Sequence, residues 1–464
     1  MSWTQALMLH RTKKNTTSSH SVPNPGTVSG LNFRRRPARA PGRSLAAFVS
    51  GFAILLSLGA CLPAAAQGVA DSSADDVRPD ELLQDRFDRR TTIPGTQIGG
   101  VTFQASAVAD LGFNDNVFAL QNDTKSDFFA DYGARLGADY GTSGFRAHLD
   151  LNGQERQYLS LTNEDFWQGG SRLTLSDQLG TDLGLFLNGG VQRLAVPRSD
   201  PNTINGFKPA TYLLYDAEAG TSIGTGAHNL LTLTTGYSQT IFDQSFGTQG
   251  LIITNDRDRQ EIFGDVRFDH TFFGEQKVFV EIRPDGRSFG RDIDASGRRR
   301  ASNGVRGDAG FVFDIDSLFL VSLTGGYQTQ TYADAGFGKI NEPDAIVDVL
   351  WSPTRLSQID LKFVHEYFED IFIDSPGYVH DLTTLTVSHE LHRDLLFKAD
   401  VSYDARQLER SPRSYDIITS ETRLDYEAVR GLIVGVDYTF QNLTSSTSRT
   451  FDDNILMLTL KKQF

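Results

Sequence analysis

From Gln97 onward the chain alternates apolar and polar residues with a period of two, and this alternation restricts its fold more than any other feature. Leu231, Leu233, Thr235, Tyr237 and Ile241 fall on one face of an extended segment, and Thr232, Thr234, Gly236, Ser238 and Thr240 on the other. Phe319, Val321, Leu323 and Tyr327 alternate with Ser322, Thr324, Gln328 and Gln330 in the same way. Ile359, Leu361, Phe363 and Tyr367 alternate with Gln358, Asp360, Lys362 and Glu366. Successive side chains of a β-strand point to opposite sides, so each segment reads as a strand with one apolar and one polar face.

Alternation alone also fits a soluble sandwich, and turn spacing separates the two. Short turns occur at Tyr140–Gly144, Leu179–Asp182, Thr225–Asn229, Phe273–Gln276, Asp314–Ser317, Ser352–Arg355, Leu391–Asp394 and Val429–Gly431. They recur about every 40 residues, and each interval holds two strands of about 10 residues joined by a longer polar segment, the pattern of a transmembrane barrel with short turns at one end and long loops at the other. Eight short turns and nine long connections predict an all-β, antiparallel up-and-down barrel of eighteen strands, with sixteen as the alternative count. An even count places both chain ends on the short-turn side. It also lets a first strand near Val101–Ala109 close on a last strand near Ile455–Phe464, leaving no sheet edge in the hydrocarbon.

Ahead of this region the chain changes character. Residues 1–66 hold eight basic residues and no acidic one. They end in the apolar run Ser44–Ala60 and the small-residue site Ala64-Ala65-Ala66, which together predict a secretory signal peptide with a long basic leader. The length of that leader leaves open a translation start downstream of Met1. Cys61, the single cysteine, follows Leu58-Gly59-Ala60 in a lipobox-like context, so lipidation there is the alternative to cleavage after Ala66. Residues 67–96 read as an acidic periplasmic leader. Within them Pro79–Arg90 is either a short helix, with acids first and arginines last, or unstructured chain. The barrel is expected over 97–464. Beyond residue 66 there are 36 basic and 58 acidic residues, a balance that argues against nucleic acid as a partner. No apolar run of helical-span length follows the N-terminal region, which argues against a helical membrane protein.

If the apolar faces meet lipid, the polar faces line the lumen. That assignment places Asp127, Asp131, Arg135 and Asp139 inward, with Arg146, His148, Asp150 and Arg156 on the next strand. It likewise turns Glu281, Arg283, Asp285 and Arg287, then Lys398, Asp400, Asp404 and Arg406, then Glu421, Arg423, Asp425 and Glu427 into the lumen. Mixed signs on neighbouring strands predict cross-strand ion pairs. They serve either to guide a hydrated solute or simply to give the barrel a polar, neutralised interior. Tyr140, Trp167, Phe272, Trp351, Tyr403 and Tyr438 suit the interfacial girdles.

Arg287, Arg291, Arg298, Arg299, Arg300 and Arg306 concentrate on the hairpin of the ninth and tenth strands. They form either an extracellular basic loop for lipopolysaccharide phosphates or an anionic polymer, or a solvated loop with its arginines paired to Asp292, Asp294 and Asp308. An enzyme would need a nucleophile or a water activated by a positioned base. Only His365 and His380, with Glu366, Asp370, Asp374, Ser375 and Asp381 nearby, approach the outer rim. No Gly-x-Ser-x-Gly element or metal-ligand spacing is present, so neither enzyme activity, a metal nor a cofactor is expected.

Leu456, Leu458, Leu460 and Phe464 share one face of the terminal strand. This resembles the C-terminal signature that the barrel-assembly machinery reads in bacterial outer-membrane barrels, although Lys462 interrupts the row. Asp110-Leu-Gly-Phe-Asn-Asp-Asn-Val-Phe118 resembles an element of bacterial outer-membrane porins of the beta-barrel porin 2 type, a group often associated with exopolysaccharide export. Read from the residues alone, Asn114, Asp115 and Asn116 form an Asx-type turn. The resemblance implies a channel in the outer membrane of a Gram-negative bacterium. Such a channel passes hydrophilic solutes passively or exports a polysaccharide with a periplasmic partner, among outer-membrane lipids and lipopolysaccharide. A structural or adhesive surface barrel with its lumen blocked by loops is the alternative.

Overall fold

The computed structural model describes residues 82–464 except 227, 274–275, 316–317, 373–374 and 447–448, so the signal peptide, Cys61 and most of the acidic leader lie outside the described residues. A short helix, α1 (Leu83–Thr91), precedes eighteen long strands. The first nine are β1 (Val101–Asn114), β2 (Asp127–Gly141), β3 (Phe145–Tyr158), β4 (Phe166–Leu179), β5 (Leu183–Ala195), β6 (Thr211–Gly224), β7 (Asn229–Phe242), β8 (Arg259–Thr271) and β9 (Lys277–Phe289). The second nine are β10 (Ser302–Ile315), β11 (Phe319–Tyr332), β12 (Lys339–Thr354), β13 (Ser357–Phe372), β14 (Ser375–His392), β15 (Leu395–Leu408), β16 (Ser414–Val429), β17 (Leu432–Ser445) and β18 (Phe451–Gln463).

Each strand pairs antiparallel with the next, and β18 pairs with β1 from Ser106↔Gln463 to Asn114↔Ile455, which closes the sheet into an eighteen-strand barrel. The outer surface is apolar: Ile262, Val280, Ile282 and Leu458 are each more than half exposed, an arrangement that water would penalise and lipid favours. All six aromatics assigned to the girdles are exposed on this surface. No helix among the described residues is long and apolar enough to cross a membrane.

Two expectations need correction. The strands are longer than about 10 residues, running from 13 in β5 to 18 in β14. The ladders continue past the apolar belt into the loop end, where Glu155, Gln157 and Arg193 face outward. The longer polar connection expected between β13 and β14 is also absent, since β13 runs to Phe372 and β14 resumes at Ser375. The pairing of β12 with β13 starts only at Ala345↔His365, and beyond it β13 folds inward. Tyr367 then packs against Tyr332, Phe337 and Ile340, with the Tyr332 and Tyr367 hydroxyls 2.7 Å apart. Residues that would have formed a loop therefore become a hairpin tip inside the barrel.

The sequence element Asn114-Asp115-Asn116 fastens the closing seam. The Asn114 side chain accepts the Asn116 amide at 2.6 Å, an Asx turn that ends β1. Asn116 then donates to the Asp452 carbonyl at 2.7 Å, while Asp115 accepts from the Asn454 backbone (2.8 Å) and side chain (2.7 Å). The first strand thus grips the last beyond their ladder. Asp115→Ala is expected to lower the temperature at which the folded barrel opens in heat-modifiable electrophoresis, since losing hydrogen bonds to a charged acceptor costs about 2 kcal/mol. An unchanged midpoint would remove the clasp role.

Candidate functional site: the lumen and its two mouths

Inner and outer faces are distinguished by contacts between strands that are not neighbours. Arg172 on β4 reaches Asp216 on β6 at 2.8 Å, and Arg306 on β10 reaches Asp344 on β12 at 2.9 Å and Glu366 on β13 at 3.1 Å. Within the apolar belt, side chains that meet across an intervening strand in this way converge on the concave inner face.

Register carries that parity around the ring, and the charged residues singled out from the sequence lie on the inner face. Arg156 binds Asp131 through two nitrogens at 2.8 and 2.6 Å, and Arg135 binds Asp150. Glu281 pairs with Arg267 at 3.1 Å and Arg283 with Glu261 at 3.3 Å. Lys398–Asp400, Arg406–Asp404 and Arg423–Asp425 pair along single strands at 2.8, 2.8 and 2.9 Å. Arg146 is exposed near the short-turn end, and Glu421 lies beside Asp437. Several guanidinium groups also stack on rings, Arg267 over Phe279 and Arg283 over Phe263 at 3.8 Å and Arg156 over Phe129 at 4.1 Å. Pairing and stacking offset the cost of holding these charges away from bulk water, so removing one partner costs more than the pair contributes.

Sequence reasoning missed the hubs of this network. Glu369, 4% exposed, accepts from Arg287 and from Ser302, and the Arg259 guanidinium donates to its carbonyl at 3.4 Å. Alternation would place Glu369 on the outer face, and only the inward fold of the β13 tip brings it across the lumen. Arg267 and Glu261, in contrast, share the alternating pattern that revealed their partners.

The long-loop end is crossed by residues 196–210, the loop between β5 and β6. Arg198 forms a two-pronged bond to Glu164 at 2.8 Å for each prong, which ties this loop to the one after β3. Arg449, from the loop before β18, donates to the Asp200 carbonyl at 2.6 Å and to the Arg198 carbonyl. Arg257 donates to the Asn202 carbonyl at 3.0 Å, and the Asn202 amide reaches Asp370 of β13 at 3.3 Å. β13 stands nearly opposite β5 and β6 in an eighteen-strand ring, so the loop spans the lumen. Val196, Ile204, Ala210 and Tyr212 anchor its base. Burial pushes the Asp200 carboxyl well above the usual carboxylate range, Asp370 pushes it further, and Arg406, Arg449 and Arg257 pull it back.

At the short-turn end α1 sits inside the mouth. Phe87, fully buried, packs between Leu396 of β15 and Ile433 of β17, which lie on the inner faces of their strands. Arg86 and Arg90 both bind Glu390, at 2.8 and 3.0 Å. The Leu83 amide donates to Gln358 at 2.8 Å, and the Ile93 amide donates to Gln463 at 3.0 Å.

The basic loop is less available than its sequence suggests. Arg287 belongs to the inner wall, because its alternation with Asp285 and Arg283 turns it inward between Asp285 (3.1 Å) and Glu261 (3.7 Å). Arg300 is buried against Asp294 at 2.5 Å and donates to the Ser375 carbonyl at 3.0 Å. Arg298 pairs with Asp334 at 3.0 Å, Arg299 loosely with Asp292 at 3.7 Å, and Arg306 with Asp308 at 2.9 Å. Arg291 is half-buried.

The two rim histidines face opposite ways. His380 lies inside between Asp404 (3.3 Å) and Glu366 (3.4 Å), while His365 binds Asp381 at 2.7 Å on the outer face, so they form no shared site. Among the described residues no group of three or more His, Cys, Asp or Glu side chains is placed to hold a metal ion.

A closed, lipid-facing barrel with a charged interior, narrowed by an inward loop, defines the porin class of outer-membrane channels. The family "Putative beta-barrel porin 2" matches residues 93–464, and the chain belongs to it: it is a porin-like outer-membrane channel. Among solved structures the chain is similar to Pseudomonas aeruginosa OpdO, with 11% identity, 78% of this chain and 97% of that chain covered, and a TM-score of 0.46. It is also similar to P. aeruginosa OccK2 (OpdF) in complex with glucuronate, with 12% identity, 78% and 98% covered, and a TM-score of 0.45. Acinetobacter baumannii OccAB4 follows with 11% identity, the same coverage and a TM-score of 0.44. No curated protein sequence matches the chain.

Proposed function

We propose that the barrel passes small hydrophilic solutes by passive diffusion, with its short turns and both chain ends in the periplasm and its long loops outside. The supporting observation is an asymmetry of the inner wall. Glu261, Glu281, Arg306, Asp344, Glu366 and Asp404 on the β8–β15 arc are buried by one another, by the inward β13 tip and by the loops. On the β3–β7 arc, side chains such as Asn152, Gln168, Asn188 and Thr234 remain partly open to the lumen. Solute passes along that open arc and no catalytic step is involved. Lipids cover the outer belt, and the assembly machinery reads the row Leu456, Leu458, Leu460 and Phe464. Export of a polysaccharide is less favoured, because a polymer would require the interlocked loops to move aside.

The second reading, a surface barrel blocked by its loops, is favoured by the bonds that cross the lumen at Asn202 and Arg449. Single-channel recording of the protein in planar bilayers under a salt gradient decides between the two. Stable stepwise conductance is the expected result, and its absence from correctly folded barrel would establish the blocked surface barrel.

A further inference from the structure

From the same open arc we infer the class of solute: the inner faces of β4–β7 form a lane for neutral, polyhydroxylated ring compounds. This rests on the passive-channel reading and extends it.

The lane is distinguished by its chemistry. Every strand from β8 to β10 places several charged side chains inward, whereas the inner faces of β4–β7 carry Gln168, Thr174, Asn188, Gln192, Thr232 and Thr234, none of them buried. Only three charged side chains share these four faces. Arg172 and Asp216 neutralise each other at 2.8 Å, leaving Glu218. Amides and hydroxyls both donate and accept hydrogen bonds, so they replace the hydration shell of a hydroxyl-rich molecule without favouring either sign of charge. A carboxylate entering the lane gives up water and finds no unpaired counter-charge in return, and an ammonium ion finds only the single carboxylate of Glu218.

An aromatic surface stands in the same lane. Phe186 on β5 faces inward beside Asn188, and its ring lies so close over Gly220 of β6 that a Cβ there would collide with it. The glycine lets the ring lie flat along the wall, and the ring is only partly buried. A flat apolar face bordered by neutral hydrogen-bonding groups matches a sugar-like ring, with C–H groups on one side and hydroxyls around its edge.

The test compares permeation of a neutral monosaccharide with that of the sugar acid and amino sugar of the same size, in liposomes containing the full-length protein, with potassium chloride flux as reference. The neutral sugar is expected to pass faster than either charged analogue. In a Phe186→Ala, Asn188→Leu, Thr234→Val variant the ratio of sugar flux to salt flux is expected to fall about tenfold, the effect of losing roughly one to two hydrogen bonds. Unaltered heat-modifiable mobility checks that the variant has folded. A separate Gln168→Leu variant, expected to lower the same ratio, gives a second reading if the triple variant fails that check. Faster passage of either charged analogue, or an unchanged sugar-to-salt ratio in the folded variants, would overturn the lane. Absence of salt flux from the unaltered protein would instead sink the channel reading on which it rests.

Discussion

Phe87→Ala is expected to release α1 from the short-turn mouth and to raise single-channel conductance. Nine residues are too few for a helix to persist in water, so α1 owes its existence to the socket that receives it. Truncating a fully buried Phe costs about 3–5 kcal/mol. Phe87 is the one large ring that α1 places between Leu396 and Ile433, and the Arg86 and Arg90 bonds to Glu390 would be lost with the helix. Trypsin provides a second measurement. Arg86 is 7% exposed and protected in the docked state, so the variant should be cut rapidly after this residue while the barrel stays intact. Unchanged conductance together with rapid cleavage would show that α1 leaves without obstructing the path.

The second large effect concerns the loop that crosses the lumen. Arg449→Ala removes two guanidinium–carbonyl bonds from the 196–210 loop, each worth about 1.5–3 kcal/mol. The balance between latched and released loop should shift by roughly a hundredfold or more, seen as longer-lived or larger conductance steps.

Acidity should act in the opposite direction. Asp200 titrates well above the ordinary carboxylate range when latched, so its charged form disfavours the latch. That contribution to latch stability is fully present below the ordinary value and is lost as pH rises through the raised one. Mild acid is therefore expected to reduce the time spent in open states and mild alkali to increase it. Asp200→Asn, which keeps the acceptor for the Asn202 amide but cannot ionise, should hold the low-conductance behaviour at every pH. A variant as pH-sensitive as the parent would place the titrating group elsewhere.

Much of this molecule is legible in its sequence because strand geometry is local. A period of two assigns each side chain a face without any tertiary information, and turns at regular intervals count the strands. Eighteen strands, the outward aromatics and the inward Asp131, Arg135, Arg156, Glu281, Arg283 and Asp404 all follow from those two regularities. Loop pairing was partly legible too: Asp292, Asp294 and Asp308 are the partners of Arg299, Arg300 and Arg306, each within eight residues along the chain.

The failures inside the lumen share one cause. Glu369 lies 82 residues from Arg287, and Asn202 lies 168 residues from Asp370, so no local pattern relates either pair. The helix at Leu83–Thr91 was ambiguous because its stability comes from Leu396 and Ile433, more than 300 residues away.

The sequence by itself determined the wall: how many times the chain crosses the membrane, which side chains meet lipid and which meet water. Pleating fixes those choices residue by residue. Only the tertiary structure decided what occupies the space inside. The β13 tip, the β5–β6 loop and α1 enter the lumen through contacts between distant segments, and an alternating pattern carries no record of which segments will meet.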